Sequence, residues 1–212
     1  GIPRKKLTLI TGATNVGKTF LALRLASNAQ KNGGVVAWID TELSWDREWV
    51  SKCGLDPSSV LVSQPTTGED AFNIARELMR NSVDLLVLDS VAGLVPTAVQ
   101  EEDFSYNPIA FQARMVNQAL PKLFSNLHYG SALVFVNQVR SSMGPVSLPN
   151  MPGGVAQEFF AHFLLELRRS SWIEEKKQKI GFDIEVRVRK SKVGGLPYQS
   201  CIVPFKMEGG ID

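Results

Sequence analysis

A chain of 212 residues, 44% hydrophobic and 21% charged, can bury a proper core within one domain and has an ordinary globular composition. A formal net charge of +2 permits a nucleic-acid partner without demanding one, and no run reaches the ~18 apolar residues of a membrane span, so no membrane partner is expected. Cys53 and Cys201 stand far apart without metal spacing and read as free thiols of a reducing compartment, while His128 and His162 are solitary and build no zinc site.

In chain order, β-rich runs alternate with helical periodicity, which predicts an α/β fold: a mostly parallel twisted sheet with helices on both faces. The first predicted strand, Leu7–Thr11, runs into GATNVGKT, Gly12 to Thr19, followed by a helix from Gly17 to about Gln30. The second strand, Val35–Asp40, follows the Gly33-Gly34 helix stop. Helical periodicity over Trp45–Lys52, a short strand Val60–Ser63 and a helix over Thr67–Asn81 come next, the last with the acid-rich start Gly68-Glu69-Asp70. Leu85–Asp89 reads as a buried strand, Pro108–Leu127 as a long helix and Ala132–Asn137 as another buried strand. From Phe163 the pattern alternates over Phe163–Arg169, Phe182–Arg189 and Gln199–Pro204, which predicts antiparallel, hairpin-connected additions to one sheet edge. Two stretches fit neither helix nor strand: Pro96–Asn107, and the Gly-, Pro- and Ser-dense Ser141–Val155. Both follow strands of the parallel sheet, so both belong on its carboxyl rim.

Gly12 to Thr19 fits G-x-x-x-x-G-K-[ST]. In that pattern the glycines let successive N–H groups converge on phosphate oxygens, and the following helix adds the positive end of its dipole. Lys18 then reaches the outer phosphates and the Thr19 hydroxyl can ligate Mg²⁺. Asp89 ends an apolar strand on the same rim, where a carboxylate can hold Mg²⁺ through water. Glu42, after the second strand, can polarise the water that attacks a γ-phosphate, or serve only as an acid at a helix start. Gln138 can sense that phosphate and pass the information into the loop behind it, or be an ordinary polar strand end. Arg187 and Arg189 are expected on one strand face and Lys190 and Lys192 on the other.

IDTE, LLVLDSVAGLVP, QARMVNQALPKL, VNQVR, PGG and RKSKV, in this order, resemble the ATPase core of the RecA family of homologous-recombination proteins, the bacterial type above all, over essentially the whole chain. The resemblance implies a RecA-like P-loop core across residues 1–212 as a single domain, and a DNA-dependent ATPase using ATP and Mg²⁺. Gly12, Ala13, Thr14, Asn15, Val16, Gly17, Lys18 and Thr19 then hold the triphosphate, with Asp89 as the Walker B carboxylate, Glu42 as general base and Gln138 as γ-phosphate sensor. It puts Trp49 on the adenine ring and Asp46 beside the adenine's amino group. It makes Pro96–Asn107 and Ser141–Val155 DNA-binding loops, with Arg114, Asn117, Arg140, Gly153 and Gly154 as contacts. Lys190 and Lys192 match a pair that reaches the neighbouring subunit's ATP. The implied partners are single-stranded DNA, homologous duplex DNA and further copies of the protein in a filament, in the cytoplasm at the nucleoid or an equivalent reducing compartment.

The departures from the family are also legible. Glu101, Glu102 and Asp103 make the first loop acidic, Pro121 stands where the bacterial family has an arginine, and the second loop is slightly short and carries no lysine. The chain starts at Gly1 and enters its first strand within a few residues, so the family's leading polymerisation helix and strand are expected to be missing, as is its small C-terminal domain. Two other readings of the same fold are a nucleotide-binding regulatory module without strand exchange and a DnaB-type hexameric helicase. The spacing of Lys190 and Lys192 disfavours the helicase.

Overall fold

The computed structural model describes residues 1–100, 108–127, 130–139, 151–175 and 177–206. Four apolar runs become the central strands β1 (Leu7–Gly12), β2 (Val36–Asp40), β4 (Leu85–Asp89) and β5 (Ala132–Gln138). All are buried along almost their whole length, as strands covered on both faces must be. With β3 (Val60–Ser63), β6 (Phe163–Glu175), β7 (Gln178–Ser191) and β8 (Ser200–Lys206) they form one eight-stranded sheet, ordered β3-β2-β4-β5-β1-β6-β7-β8.

Helices α1 (Lys18–Lys31) and α2 (Arg47–Lys52) cover one face, where Phe20, Leu23 and Ala26 pack against Trp38, Val134 and Val136. Helices α3 (Gly68–Arg80), α5 (Pro108–Phe124) and α6 (Ala156–Phe160) cover the other, around Phe72, Met79, Leu120 and Phe135. Burying each such side chain contributes about 1.5–3 kcal/mol, so the two apolar layers hold the sheet between them. The start of α3 shows how local sequence sets an element. The Thr67 side chain caps the Asp70 N–H at 3.1 Å, Glu69 and Asp70 oppose the helix dipole, and Phe72, Ala75 and Met79 make the buried stripe. Among the described residues no helix is long and apolar enough to cross a membrane.

Four expectations are corrected. β6 is parallel to β1, with Thr8 opposite Phe163 and Gly12 opposite Leu167, so only β7 and β8 are antiparallel additions. The chain between β5 and β6 crosses over the sheet by way of α6 instead of turning a hairpin, which demands a parallel strand. The β6–β7 ribbon also runs further out than its apolar alternation does, held there by Trp172 against Phe182 at 5.9 Å and the Arg169 guanidinium 4.5 Å from the Trp172 ring. A register shift in that ribbon, with Leu164 opposite Lys190 but Leu165 opposite Val188, inserts an extra residue in β7. It turns Lys190 to the face of Arg187 and Arg189: Arg187 lies opposite Glu166, and Arg189 Nη1 is 3.4 Å from Glu166 Oε2. Within Pro96–Asn107 a short helix α4 (Thr97–Gln100) forms, its first turn held by Glu69 Oε2, which accepts from Thr97 N at 2.9 Å and Thr97 Oγ1 at 3.0 Å. Residues 101–107 of that stretch, and 141–150 of the second, lie outside the described residues.

Candidate functional site

Parallel register brings the chemistry to one rim. Asp40 lies opposite Asp89, and Gly12 opposite Gln138, so the carboxyl ends of β1, β2, β4 and β5 open side by side. Between β1 and α1 the loop turns through Asn15 at φ 58 and Gly17 at φ 89. A side chain at Gly17 would be strained at that φ and would run into Ile184. Ala13, Thr14 and Asn15 are exposed at the loop's crest, while Val16 is buried and anchors it to the core beneath α1.

Lys18 is only 8% exposed and its Nζ donates to Ala13 O at 2.6 Å, folded back along the loop. Burial pushes its pKa down, while the Asp89 and Glu42 carboxylates oppose that. Asp89 is 4% exposed and its carboxylate accepts a hydrogen bond from the Thr19 hydroxyl. Burial drives its pKa up to about 7; the Thr19 bond and Lys18 pull the other way, and the neighbouring Glu42 and Asp40 add to the rise. No three His, Cys, Asp or Glu side chains among the described residues could hold a metal together. The Thr19–Asp89 pair fits a hard divalent cation that takes most of its ligands from phosphate and water, which is the way Mg²⁺ binds.

Two strand ends are clasped so that Glu42 faces the same space. Thr41 N donates to Asp89 O at 2.9 Å, Thr41 Oγ1 donates to Ser90 O at 2.6 Å, and Ser90 N donates back to Thr41 Oγ1 at 2.9 Å. The Ser90 hydroxyl donates to Glu42 Oε1. Asp40, 1% exposed, organises the turn by accepting from Trp45 N at 2.9 Å and Gln64 Nε2 at 2.8 Å. A cavity of about 480 Å³ lies between the loop, Glu42, Asp89 and Gln138 and an aromatic wall of Trp49, Phe182 and Phe205. Trp49 meets Phe205 edge-on at 6.0 Å, and Phe205 in turn packs on Phe20 and Phe182, each at 4.8 Å. Asp46 caps α2, accepting from Trp49 N at 2.8 Å, and so fixes the helix that carries the tryptophan. The wall is the part that sequence reasoning missed apart from Trp49: Phe20, Phe182 and Phe205 come from three further elements and share no motif.

On the α3–α5 face, Arg114 is exposed on α5 and lines a groove of about 410 Å³ between α3 and α5, together with Glu69, Arg76 and Lys122. Asn117 and Pro121 follow on the Arg114 face of the helix, both exposed. Gly153 and Gly154 turn at φ 77 and 75, and the space a Cβ would take at Gly154 lies 3.2 Å from Ala113 Cβ. Arg140, Glu101, Glu102 and Asp103 lie outside the described residues. The structure does not bring Lys190 or Lys192 to the cavity beside Gly12–Thr19 of their own chain. Lys190 Nζ donates to Glu158 O and, at 3.1 Å, to Phe159 O at the end of α6, and Lys192 Nζ lies 5.5 Å from the Phe159 ring centre.

The RecA N-terminal domain family matches residues 1–212. Protein RecA of Acidothermus cellulolyticus is 40% identical over 210 residues, covering 97% of this chain and 59% of that protein. Protein RecA of Aquifex aeolicus is 40% identical over 205 residues (95% and 59%), and that of Tropheryma whipplei 36% identical over 229 residues (100% and 52%). The chain thus spans between half and three-fifths of the length of these relatives.

Proposed function

The chain belongs to the RecA family, and on that premise we propose that it is the ATP-hydrolysing, DNA-binding core of a recombinase. It assembles on single-stranded DNA and pairs that strand with a homologous duplex. The observation that supports this most is the shared rim: the phosphate loop, Glu42 and Asp89 open on the same edge as Gln138, whose neighbour Asn137 bonds to Pro152 O beside Gly153 and Gly154.

Gly12 to Thr19 wrap the triphosphate and Lys18 exchanges its Ala13 carbonyl for phosphate oxygen. The adenine lies against Trp49 and Phe205, and the family resemblance puts Asp46, which caps the helix carrying Trp49, near its amino group. Thr19 and Asp89 would hold Mg²⁺, which when bound neutralises charge on the phosphates. Glu42, oriented by the Ser90 hydroxyl, takes the proton of the attacking water. Gln138 touches the γ-phosphate, and Lys190 and Lys192 supply positive charge to the nucleotide of the adjoining subunit. Backbone-directed contacts at Gly153 and Gly154, with Arg114, Asn117 and Arg140, leave base edges free for pairing. Arg76 and Lys122 extend the cationic track beside Arg114 and offset the loss of a cation at Pro121. Residues 1–212 act as one unit, in the compartment where the DNA lies.

The test is ATP hydrolysis with and without single-stranded DNA over a range of protein concentration. Stimulation by DNA with a cooperative concentration dependence is the expected result. Hydrolysis or binding indifferent to DNA would overturn the recombinase reading and favour the regulatory module.

A further inference from the structure

Two lines of hydrogen bonds leave the nucleotide rim and meet at one turn, Pro152 to Gly154. The first starts at Gln138, whose N–H donates to Asn137 Oδ1 at 2.8 Å. Asn137 is fully buried, and its Nδ2 donates to Pro152 O and to Gln157 Oε1, each at 2.8 Å. Gln157, also fully buried, donates from Nε2 to Pro152 O and, at 3.1 Å, to Gly154 O. The second line starts behind Asp89 and Ser90. There Gln112 Nε2, on α5, donates to Val91 O at 3.1 Å and Leu94 O at 2.8 Å, and Gln112 Oε1 accepts from Gly153 N at 3.1 Å.

Both Nε2 protons of Gln157, its carbonyl and both Nδ2 protons of Asn137 are therefore spent, and the amides have no second arrangement that satisfies the same partners. A buried network of this kind is rigid while complete and costly when partly broken, so a shift at one end is carried to the other instead of being absorbed. The turn itself leaves no slack. A Cβ at Gly153 would lie 2.8 Å from Val91 Cγ1, 3.0 Å from Gln157 Nε2 and 3.1 Å from Val116 Cγ2.

We infer that Gln112 and Gln157 are positioning residues that make the Pro152–Gly154 turn follow the state of the nucleotide rim, Gln157 reading β5 and Gln112 reading the exit of β4. The inference rests on the reading of Gly153 and Gly154 as DNA contacts, but its test separates the two. Hydrogen exchange across residues 151–160 is compared with ADP and with a non-hydrolysable ATP analogue, without DNA. In the wild type the two nucleotides give different protection. In Gln112→Met and Gln157→Met, which keep volume but remove the bonds, that difference is lost while affinity for both nucleotides is kept.

DNA affinity is then measured with each nucleotide. The wild-type ratio, expected within about 5–150-fold for a coupling of this type, falls toward one in the variants. A purely structural role would weaken DNA binding equally with both nucleotides and leave the ratio intact. Identical wild-type exchange with ADP and the analogue overturns the inference whether or not the variants fold, as does a methionine variant that keeps the full difference. A wild-type exchange difference without any DNA binding leaves the inference standing and sinks the DNA reading.

Discussion

Replacing Asp89 by asparagine should stabilise the nucleotide-free protein at pH 8 while ending turnover. The carboxyl is 4% exposed and its pKa rises from 3.8 to about 7, chiefly because burial penalises the charge. A folded-state pKa above the unfolded value means the folded state binds more protons between about pH 4 and pH 7. Stability from this group is therefore full below pH 4, is lost as pH rises through that window, and stays lost above it. At about 1.4 kcal/mol per pH unit the loss reaches about 4 kcal/mol, an upper figure because water in the open cavity relieves part of the desolvation. Asparagine keeps an acceptor for the Thr19 hydroxyl and carries no charge. At about 2–4 °C per kcal/mol for a chain of this size, the variant should melt up to roughly 10 °C higher at pH 8 and at nearly the wild-type temperature at pH 4. Thermal unfolding of both proteins from pH 4 to 9, free of nucleotide and Mg²⁺, measures this. Parallel profiles, or an asparagine variant that melts lower at pH 8, would refute the argument. Adding Mg²⁺ and ATP should then raise the wild type more than the variant.

The remaining expectations concern the rim. Glu42→Gln should keep nucleotide affinity and lower turnover about 10²–10⁴-fold, read from single-turnover hydrolysis beside equilibrium binding; equal loss of both would make Glu42 a structural acid. Removing the Trp49 or Phe205 ring should weaken ATP binding by roughly 5- to 150-fold with little change in turnover at saturation, measured by calorimetry and steady-state kinetics. Arg76→Ala and Arg140→Ala should each weaken binding to single strands of any sequence alike and reduce the salt slope by about one, by fluorescence anisotropy across ionic strength. A loss confined to particular sequences would point to base readout instead.

The phosphate loop was legible because its donors are contiguous and a spacing rule captures them. The central strands are legible because burial on both faces leaves an unbroken apolar run. Alternation in Phe163–Arg169 spoke only of one face against another, and it carries no sign of whether the neighbour runs parallel. Alternation alone therefore suggests an antiparallel strand where β6 runs parallel to β1. The face of Lys190 was misread because one extra residue in β7 reverses every parity beyond it, and no residue type announces such a bulge. The aromatic wall is built from α1, α2, β7 and β8, so no local window holds it. Gln112 falls within the predicted helix Pro108–Leu127 and Gln157 in no predicted element. Only the packing shows that Gln157 is fully buried and that both are bound to main-chain groups.

The charge of the phosphate cavity explains why assembly and hydrolysis belong to one event in the proposed function. Among the described residues that line it, Lys18 is the cation, against the carboxylates of Glu42 and Asp89, and a triphosphate adds several negative charges more. Burial already taxes both Lys18 and Asp89 in their charged forms. One ammonium in so desolvated a site does not balance that load at the moment charge builds on the γ-phosphate. Three cations at the end of β7 are held elsewhere: Lys190 on the carbonyls that end α6, Lys192 over Phe159 and Arg189 beside Glu166. In the proposed function the further positive charge is supplied by Mg²⁺ and by the adjoining subunit, beside the loop's own N–H groups. Hydrolysis per subunit should therefore rise with protein concentration, and rise further when DNA lines the subunits up. A turnover per subunit that is constant on dilution would mean that one subunit completes its own site.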